Sequence, residues 1–331
     1  MVLEELWRGV AILYVINEDS ANRVLNSLKR LHVPAFAFKY SPDKLSFAWR
    51  CFDAIVMMIP VSAAVRLLCP LIKDKTMDRP VVVVSEDLRY AIPILGSHWG
   101  ANELALELSK MLQGVSPIIT TVSESHGITS VEELARRLIT KILNPELLSK
   151  VNAELLRGGC VGVHGLTALP TWVRGNYKLN GDCKYKIYVL SEEPKMDFAE
   201  NVLILKKLKL SIGVGSKRGA DTKLIKYAVL DVLDRLCVGI DRVDVIASVH
   251  ENVKNVAEEL GVRFMLVPLS DVGKFKLNDD CITPPSESLT RLGIIGVAEP
   301  LALIAGGPTA RLIMRKVVYD GEVTVAVAAH E

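Results

Sequence analysis

Apolar residues fall along this chain in two textures. In one they form short unbroken runs rich in β-branched residues; in the other they recur roughly every three or four positions, the period of an amphipathic helix. The runs at residues 9–16, 33–38, 53–59 and 81–84 predict strands, and the tetrad Val81-Val82-Val83-Val84 has no polar face at all. A strand without a polar face is buried on both sides, which is the habit of a parallel sheet. Helical periodicity between these runs predicts helices from Asp19 or Ser20 to about residue 30, over 62–71 after Pro60, and over 101–112. A strand over 117–122 and a helix over 130–143 follow, the latter opened by the capping box Ser130-x-x-Glu133. Strands alternating with helices through residue 143 predict an α/β, doubly wound N-terminal domain.

Asn144-Pro145 interrupts this rhythm. From residue 144 to about 207 turn residues such as Asn180-Gly181-Asp182 separate short β-runs, and the pattern predicts a linker and small β-rich middle segment. One long β-run over 202–214 then leads into a glycine-bearing basic stretch, a helix over 221–237, a strand over 244–249, a helix over 252–260 and a strand over 263–267. Two final β-runs, 311–319 and 323–328, flank Asp320-Gly321, a type I′ hairpin signal. Residues 208–331 therefore read as a second α/β domain with a mixed sheet and a C-terminal hairpin.

Composition narrows the class. The chain has 331 residues, half of them hydrophobic and 24% charged, with a formal net charge of +2. That balance suits a folded multidomain protein. It gives no basic surface of the kind nucleic acid selects, and aromatics stand at only 6%. No apolar run reaches the roughly 18 to 20 residues of a membrane-spanning helix, and the amino terminus carries acidic residues where a signal peptide has basic ones. A cytoplasmic protein without nucleic-acid or membrane partners is expected. The six cysteines contain no C-x-x-C pair, so a zinc ribbon or redox dithiol is not indicated, and free buried thiols are expected.

The stretch Leu95-Gly96-Ser97-His98-Trp99-Gly100-Ala101-Asn102-Glu103 joins a strand end, a glycine-bracketed polar turn and a helix start. In an open parallel sheet that junction lies at the carboxyl-end crevice, where free helix N–H groups meet ligands. His98 is a candidate general base there, and Asn102 could orient it or polarise a carbonyl. A turn histidine and a capping asparagine are the plainer alternatives. The sequence Gly213-Val-Gly215-Ser216-Lys217-Arg218-Gly219 invites a dinucleotide reading, but its spacing is G-x-G-x-x-x-G and no acidic residue follows at the proper distance. Its two cations make a carboxylate or phosphate clamp, or simply a solvated basic turn. Glu299, in the apolar stretch Gly296-Val-Ala-Glu299-Pro-Leu-Ala-Leu303, is either buried and paired or catalytic.

These motifs, in this order, resemble one family. The His98 segment with Thr120-Thr121, the Gly213 stretch, and the Glu299 segment with the final strand are similar to cobalamin biosynthesis protein G, over about residues 50 to 330. The His98 turn is one glycine short of the family form, Ser216 stands where the family has cysteine, and Val249-His250-Glu251 lacks its lysine and acidic pattern. The resemblance implies a hydrolase of anaerobic cobalamin synthesis. Such an enzyme opens the δ-lactone of cobalt-precorrin-5A, releases acetaldehyde and leaves cobalt-precorrin-5B. It further implies His98, Glu299 and Asn102 as catalytic residues. Gly96, Ser97, Gly100, Thr120, Thr121, Gly215, Ser216, Lys217 and Arg218 would bind an anionic tetrapyrrole. Cobalt would come with the substrate, so no cofactor or protein metal site is expected; a homodimer is left open. The alternative is a non-catalytic tetrapyrrole carrier of the same pathway.

Overall fold

A computed structural model describes residues 5–73, 78–97, 100–120, 128–194, 199–273, 279–285 and 295–331. The chain divides into two compact units. One gathers residues 1–121, 210–235 and 243–330; the other gathers residues 122–209, 236–242 and 331.

In the first unit the N-terminal half builds a six-stranded sheet from β1 (Val10–Tyr14), β2 (Ala35–Lys39), β3 (Ala54–Met58), β4 (Val81–Val84), β5 (Tyr90–Leu95) and β6 (Ser116–Pro117), ordered β2-β1-β3-β4-β5-β6. The first four of these strands in the sheet are parallel; β5 is antiparallel to β4, and β6 follows β5 in parallel. Alternate residues of each strand enter opposite cores. Val10, Ile12, Val82 and Val84 pack beneath α1 (Glu18–Arg30) and α4 (Ala101–Met111), while Ala11, Leu13, Val81 and Val83 pack beneath α2 (Pro42–Cys51) and α3 (Val61–Leu68). This is the doubly wound arrangement that the two-sided apolar runs dictate. Helix α2 is not apparent from apolar periodicity; its signal is the start sequence Ser41-Pro42-Asp43, with Ser41 accepting from Lys44 N. Helix α1 is capped by Asn17, which accepts from Ser20 N, two or three residues before the expected caps.

The C-terminal half of this unit holds β12 (Lys209–Ser216), α7 (Thr222–Arg235), β13 (Val243–Ser248), α8 (Asn252–Glu259), β14 (Arg263–Leu266), the single turn α9 (Leu269–Val272), α10 (Ala298–Gly306), β15 (Arg311–Tyr319) and β16 (Val323–His330). The sheet order is β14-β13-β12-β16-β15. Asp320 and Gly321 both have positive φ, as the type I′ hairpin requires.

A buried guanidinium ties the two halves of this unit together. Arg315 on β15 is 1% exposed. Its Nε donates to Arg8 O at 2.7 Å, one Nη to Cys51 O at 2.9 Å, and the other to Cys281 O at 3.0 Å and Thr283 Oγ1 at 3.4 Å. The guanidinium lies over Phe52, 4.3 Å from the ring centroid. Burial pulls its pKa down to about 10, opposed by the nearby Glu299 carboxylate. Beside it Cys51 and Cys281 form a disulfide with Cα atoms 4.9 Å apart.

The second unit is a five-stranded sheet, β7-β11-β10-β8-β9, built from β7 (Thr140–Ile142), β8 (Val161–His164), β9 (Tyr177–Leu179), β10 (Tyr185–Leu190) and β11 (Val202–Lys207). α5 (Val131–Arg137) and α6 (Leu148–Leu156) cover one face. The expected boundary at residue 143 therefore moves. Val131, Leu134 and Ala135 of the capping-box helix pack on Val161, Val163 and Ile187 of the middle sheet. The run over 202–214 is likewise two strands, β11 and β12, which enter different sheets.

The cysteine expectation is corrected too. Cys160 and Cys183 form a second disulfide, and Cys69 and Cys237 are free and exposed rather than buried. Spacing could not show this, because Cys51 and Cys281 meet across 230 positions only when the two halves dock. No helix among the described residues is long and apolar enough to cross a membrane.

Two predictions follow from this clamp. Iodoacetamide should label two cysteines of the oxidised, folded chain and all six after reduction and unfolding; six adducts without reduction would exclude both disulfides. Arg315→Met should lower stability by about 3–5 kcal/mol, because it strands buried carbonyls and Glu299, read as a fall in melting temperature.

Candidate functional site

Three groups of residues marked by the sequence lie in the first unit. In the N-terminal sheet, Gly96 has φ +69 and presses on Pro80, whose Cα would stand 2.7 Å from any Cβ added there. Gly100, φ 100, caps α4 in the left-handed conformation with no side-chain cap bond. Ala101 N reaches back to Gly96 O at 3.2 Å, closing the turn. Asn102 follows, 1% exposed, in the first turn of α4 with Glu103. Ser97 is half-buried and Thr120 exposed; His98 and Thr121 lie outside the described residues.

The edge on which this turn sits differs from expectation. Leu95, the last residue of β5, pairs with Val81, the first of β4. Because β5 is antiparallel, its carboxyl end lies at the amino edge of the parallel strands. A tight turn after Ser85 sends β5 back beside β4 in the antiparallel sense, where the apolar pattern predicts a strand of a parallel sheet. The Gly96–Asn102 turn thus shares the edge that carries Arg8, Phe52 and the Arg315 clamp.

In the C-terminal sheet the Gly213 stretch is not a loop up to Ser216. Gly213 and Gly215 are strand residues of β12, packed by helix α10. A Cβ on Gly213 would stand 1.9 Å from Ala298 O and 2.5 Å from Ala302 N; one on Gly215 would stand 2.6 Å from Thr324 Oγ1. These glycines admit a close helix approach, which replaces the dinucleotide reading. Only residues 217–221 turn outward. Lys217 N donates to Glu322 O at 2.9 Å, and its ammonium is 4.0 Å from the Glu322 carboxylate, both well exposed. A pair so exposed holds little energy and leaves the cation open to a ligand. Arg218 is exposed, and Ser216 Oγ is buried with no hydrogen-bond partner among the described residues.

Glu299, 3% exposed, opens α10. Its Oε2 accepts from Thr283 N at 2.5 Å, and its Oε1 accepts from Thr283 Oγ1 at 2.6 Å and Lys316 N at 3.0 Å. The carboxylate is buried and paired: it holds the segment around Thr283 against β15, one residue from Arg315. Arg315 and Thr283 escape motif reading, although an arginine inside the apolar run Leu312-Ile-Met-Arg315 is a signal for a buried pair. The structure thus unites Glu299 with the clamp, and Gly215 with Ser216, Lys217 and Arg218. It sets the Gly96–Asn102 turn on the clamp's edge of the other sheet. Among the described residues the one cluster with metal-ligand potential is Cys51, Asp280 and Cys281, and its two sulfurs are bonded to each other.

Glu299→Gln should lower the melting temperature, by about 1–3 kcal/mol of stability, since an amide NH₂ would face a backbone N–H donor. An unchanged melting temperature would show that the three bonds do not matter to the fold.

Comparison with known proteins places these features. Family models described as Cobalamin synthesis G N-terminal, CbiG-like linker domain and Cobalamin synthesis G C-terminus match residues 43–124, 129–208 and 210–328. The crystal structure of a cobalamin biosynthesis protein G homolog from Sulfolobus solfataricus superposes with a TM-score of 0.83 at 36% identity, covering 100% of both chains. A cobalt-precorrin-5A hydrolase of Priestia megaterium is 26% identical over 302 residues, spanning 84% of this chain and 78% of its own. A cobalt-precorrin-5A hydrolase of Salmonella typhimurium is 36% identical over 110 residues, 33% of this chain and 31% of its own. With all three domains matched in order and the fold shared end to end, the chain belongs to the cobalamin biosynthesis protein G family.

Proposed function

We propose that this chain is a cobalt-precorrin-5A hydrolase of anaerobic cobalamin synthesis. It opens the δ-lactone of the macrocycle, and the two-carbon fragment leaves as acetaldehyde to give cobalt-precorrin-5B. The observation that carries this reading is the extent of the similarity: the match to the Priestia hydrolase runs through 84% of this chain, across every domain.

The chemistry asks for a base to activate water, donors for the oxyanion, and cations for the carboxylate arms of a large anionic tetrapyrrole. His98 is the proposed base of the N-terminal turn, serving the fragmentation that releases acetaldehyde after the ring has opened. The start of α4, with Gly96, Ser97, Gly100 and Asn102, is the proposed wall for an oxyanion or carboxylate; Thr120 and Thr121 complete that group. Lys217 and Arg218 anchor substrate arms, with Gly215 and Ser216 beside them. Glu299 supports this arrangement by holding the Thr283 segment. Cobalt arrives inside the substrate, and no cofactor is invoked. The reading is of a cytoplasmic enzyme whose partner is its substrate.

The purified full chain should convert cobalt-precorrin-5A with release of one equivalent of acetaldehyde, trapped as its hydrazone. Binding without release would favour the carrier alternative and overturn the hydrolase. Lys217→Ala combined with Arg218→Ala should raise KM by about 10- to 100-fold, the worth of one charge-assisted contact of about 1.5–3 kcal/mol, with the melting temperature unchanged.

A further inference from the structure

We propose that the crevice at the carboxyl ends of β12 and β13, walled by Ser216, His250 and Asn252, holds the water that opens the lactone, with His250 as its general base. This rests on the hydrolase reading above.

The placement follows from strand register. β12 and β13 are parallel, with Val214 opposite Ser248. Ser216 and His250 each come two residues further out, at the same edge. In this sheet β13 lies parallel on one side of β12 and the hairpin strand β16 lies on the other; the edge is the carboxyl end of the β12–β13 pair, the side on which an open α/β sheet takes its ligands. On β12 the odd positions face α10: Ser211 Oγ donates to Ala302 O at 2.7 Å, and Gly213 lies against Ala298. Ser216, at an even position, faces the other way, toward the side covered by α7 and α8.

Asn252, the first residue of α8, is on that side too. Its Nδ2 donates to Ala220 O at 3.3 Å, in the turn that Ala220 N closes onto Lys217 O at 3.1 Å. That bond fixes the amide, so Oδ1 is the group left over. Asn252 Oδ1 and Ser216 Oγ are both buried without a hydrogen-bond partner among the described residues. His250 is held by its main chain: its N–H donates to Ser248 Oγ at 3.2 Å, and Ser248 Oγ donates to Val214 O at 2.9 Å. Its imidazole makes no hydrogen bond to another described residue. Two acceptors, the amide oxygen and an imidazole nitrogen, with one hydroxyl able to donate, match a water molecule, which has two protons to give and a lone pair to place. A carboxylate would meet the amide oxygen as a like partner, which is why a water rather than a substrate arm fits here.

The step balances without any other reactant. The water oxygen bonds to the lactone carbonyl carbon while its proton passes to His250. The acyl C–O bond then breaks, and the departing alkoxide takes the proton back from the imidazolium. A free hydroxyl and a carboxylic acid result, and His250 ends neutral.

The test uses the full chain and acetaldehyde release from cobalt-precorrin-5A. His250→Ala should lower kcat by about 100-fold or more with KM within about threefold, and added imidazole should restore turnover saturably. Ser216→Ala should lower kcat by about 10-fold while the melting temperature stays level or rises, because an unpartnered buried hydroxyl is a liability to the fold. If His250→Ala itself melts early, His250→Gln, which keeps the volume, is measured in its place. Full turnover in the histidine variant would overturn the inference, as would a lost turnover that imidazole leaves unrescued. A wild-type chain that releases no acetaldehyde would instead sink the hydrolase reading.

Discussion

The first unit depends on one buried charge. Arg315 sits in the C-terminal sheet, yet two of its bonds end on main-chain oxygens of the N-terminal half, at Arg8 and Cys51. Backbone carbonyls cannot be relocated by a change of rotamer, so the guanidinium reads the geometry of the other half directly. Its planar fork spreads its donors over three nitrogens and so reaches acceptors on several sides, which the single nitrogen of an ammonium cannot span. Glu299 supplies the compensating charge and also fixes the Thr283 segment. Charge, aromatic face and disulfide meet within a few residues, so the relative position of the two sheets follows from chemistry at a single edge.

That edge gives the Gly96–Asn102 turn its setting. Strand β5 runs against β4, and the turn after it therefore lies at the clamp's edge of the sheet rather than at the opposite rim. In the other sheet the Ser216 crevice opens at the carboxyl ends of parallel strands, the ordinary place for a ligand. The difference comes from the direction of a single strand.

Much of the fold was legible. Two-sided apolar runs announced the doubly wound sheet, Ser130 and Glu133 the start of α5, and Asp320-Gly321 the hairpin. What was hidden depended on long-range partners. No local pattern reports whether β5 runs parallel or antiparallel, because both have the same period. The run over 202–214 looks continuous because the change of sheet happens at one ordinary residue, Leu208. Gly213 and Gly215 looked like a phosphate loop because a glycine that admits a helix and one that admits a ligand are the same residue. Glu299 was legible as a carboxylate needing an explanation, though its partners Thr283 and Lys316 were not. His250 and Asn252 carried no motif and gain meaning only from the register of β12 and β13.

The clamp also orders events during synthesis. The N-terminal sheet leaves the ribosome first, with the carbonyls of Arg8 and Cys51 in place and their donor still unmade. Arg315 follows some 260 residues after Cys51, and at about 5–20 residues per second the wait is on the order of ten to fifty seconds. The middle unit is completed in that interval. For this time the N-terminal half must stay soluble while presenting Phe52 and the backbone of residues 8 and 51 uncovered, so its folding is provisional until nearly the last strand emerges.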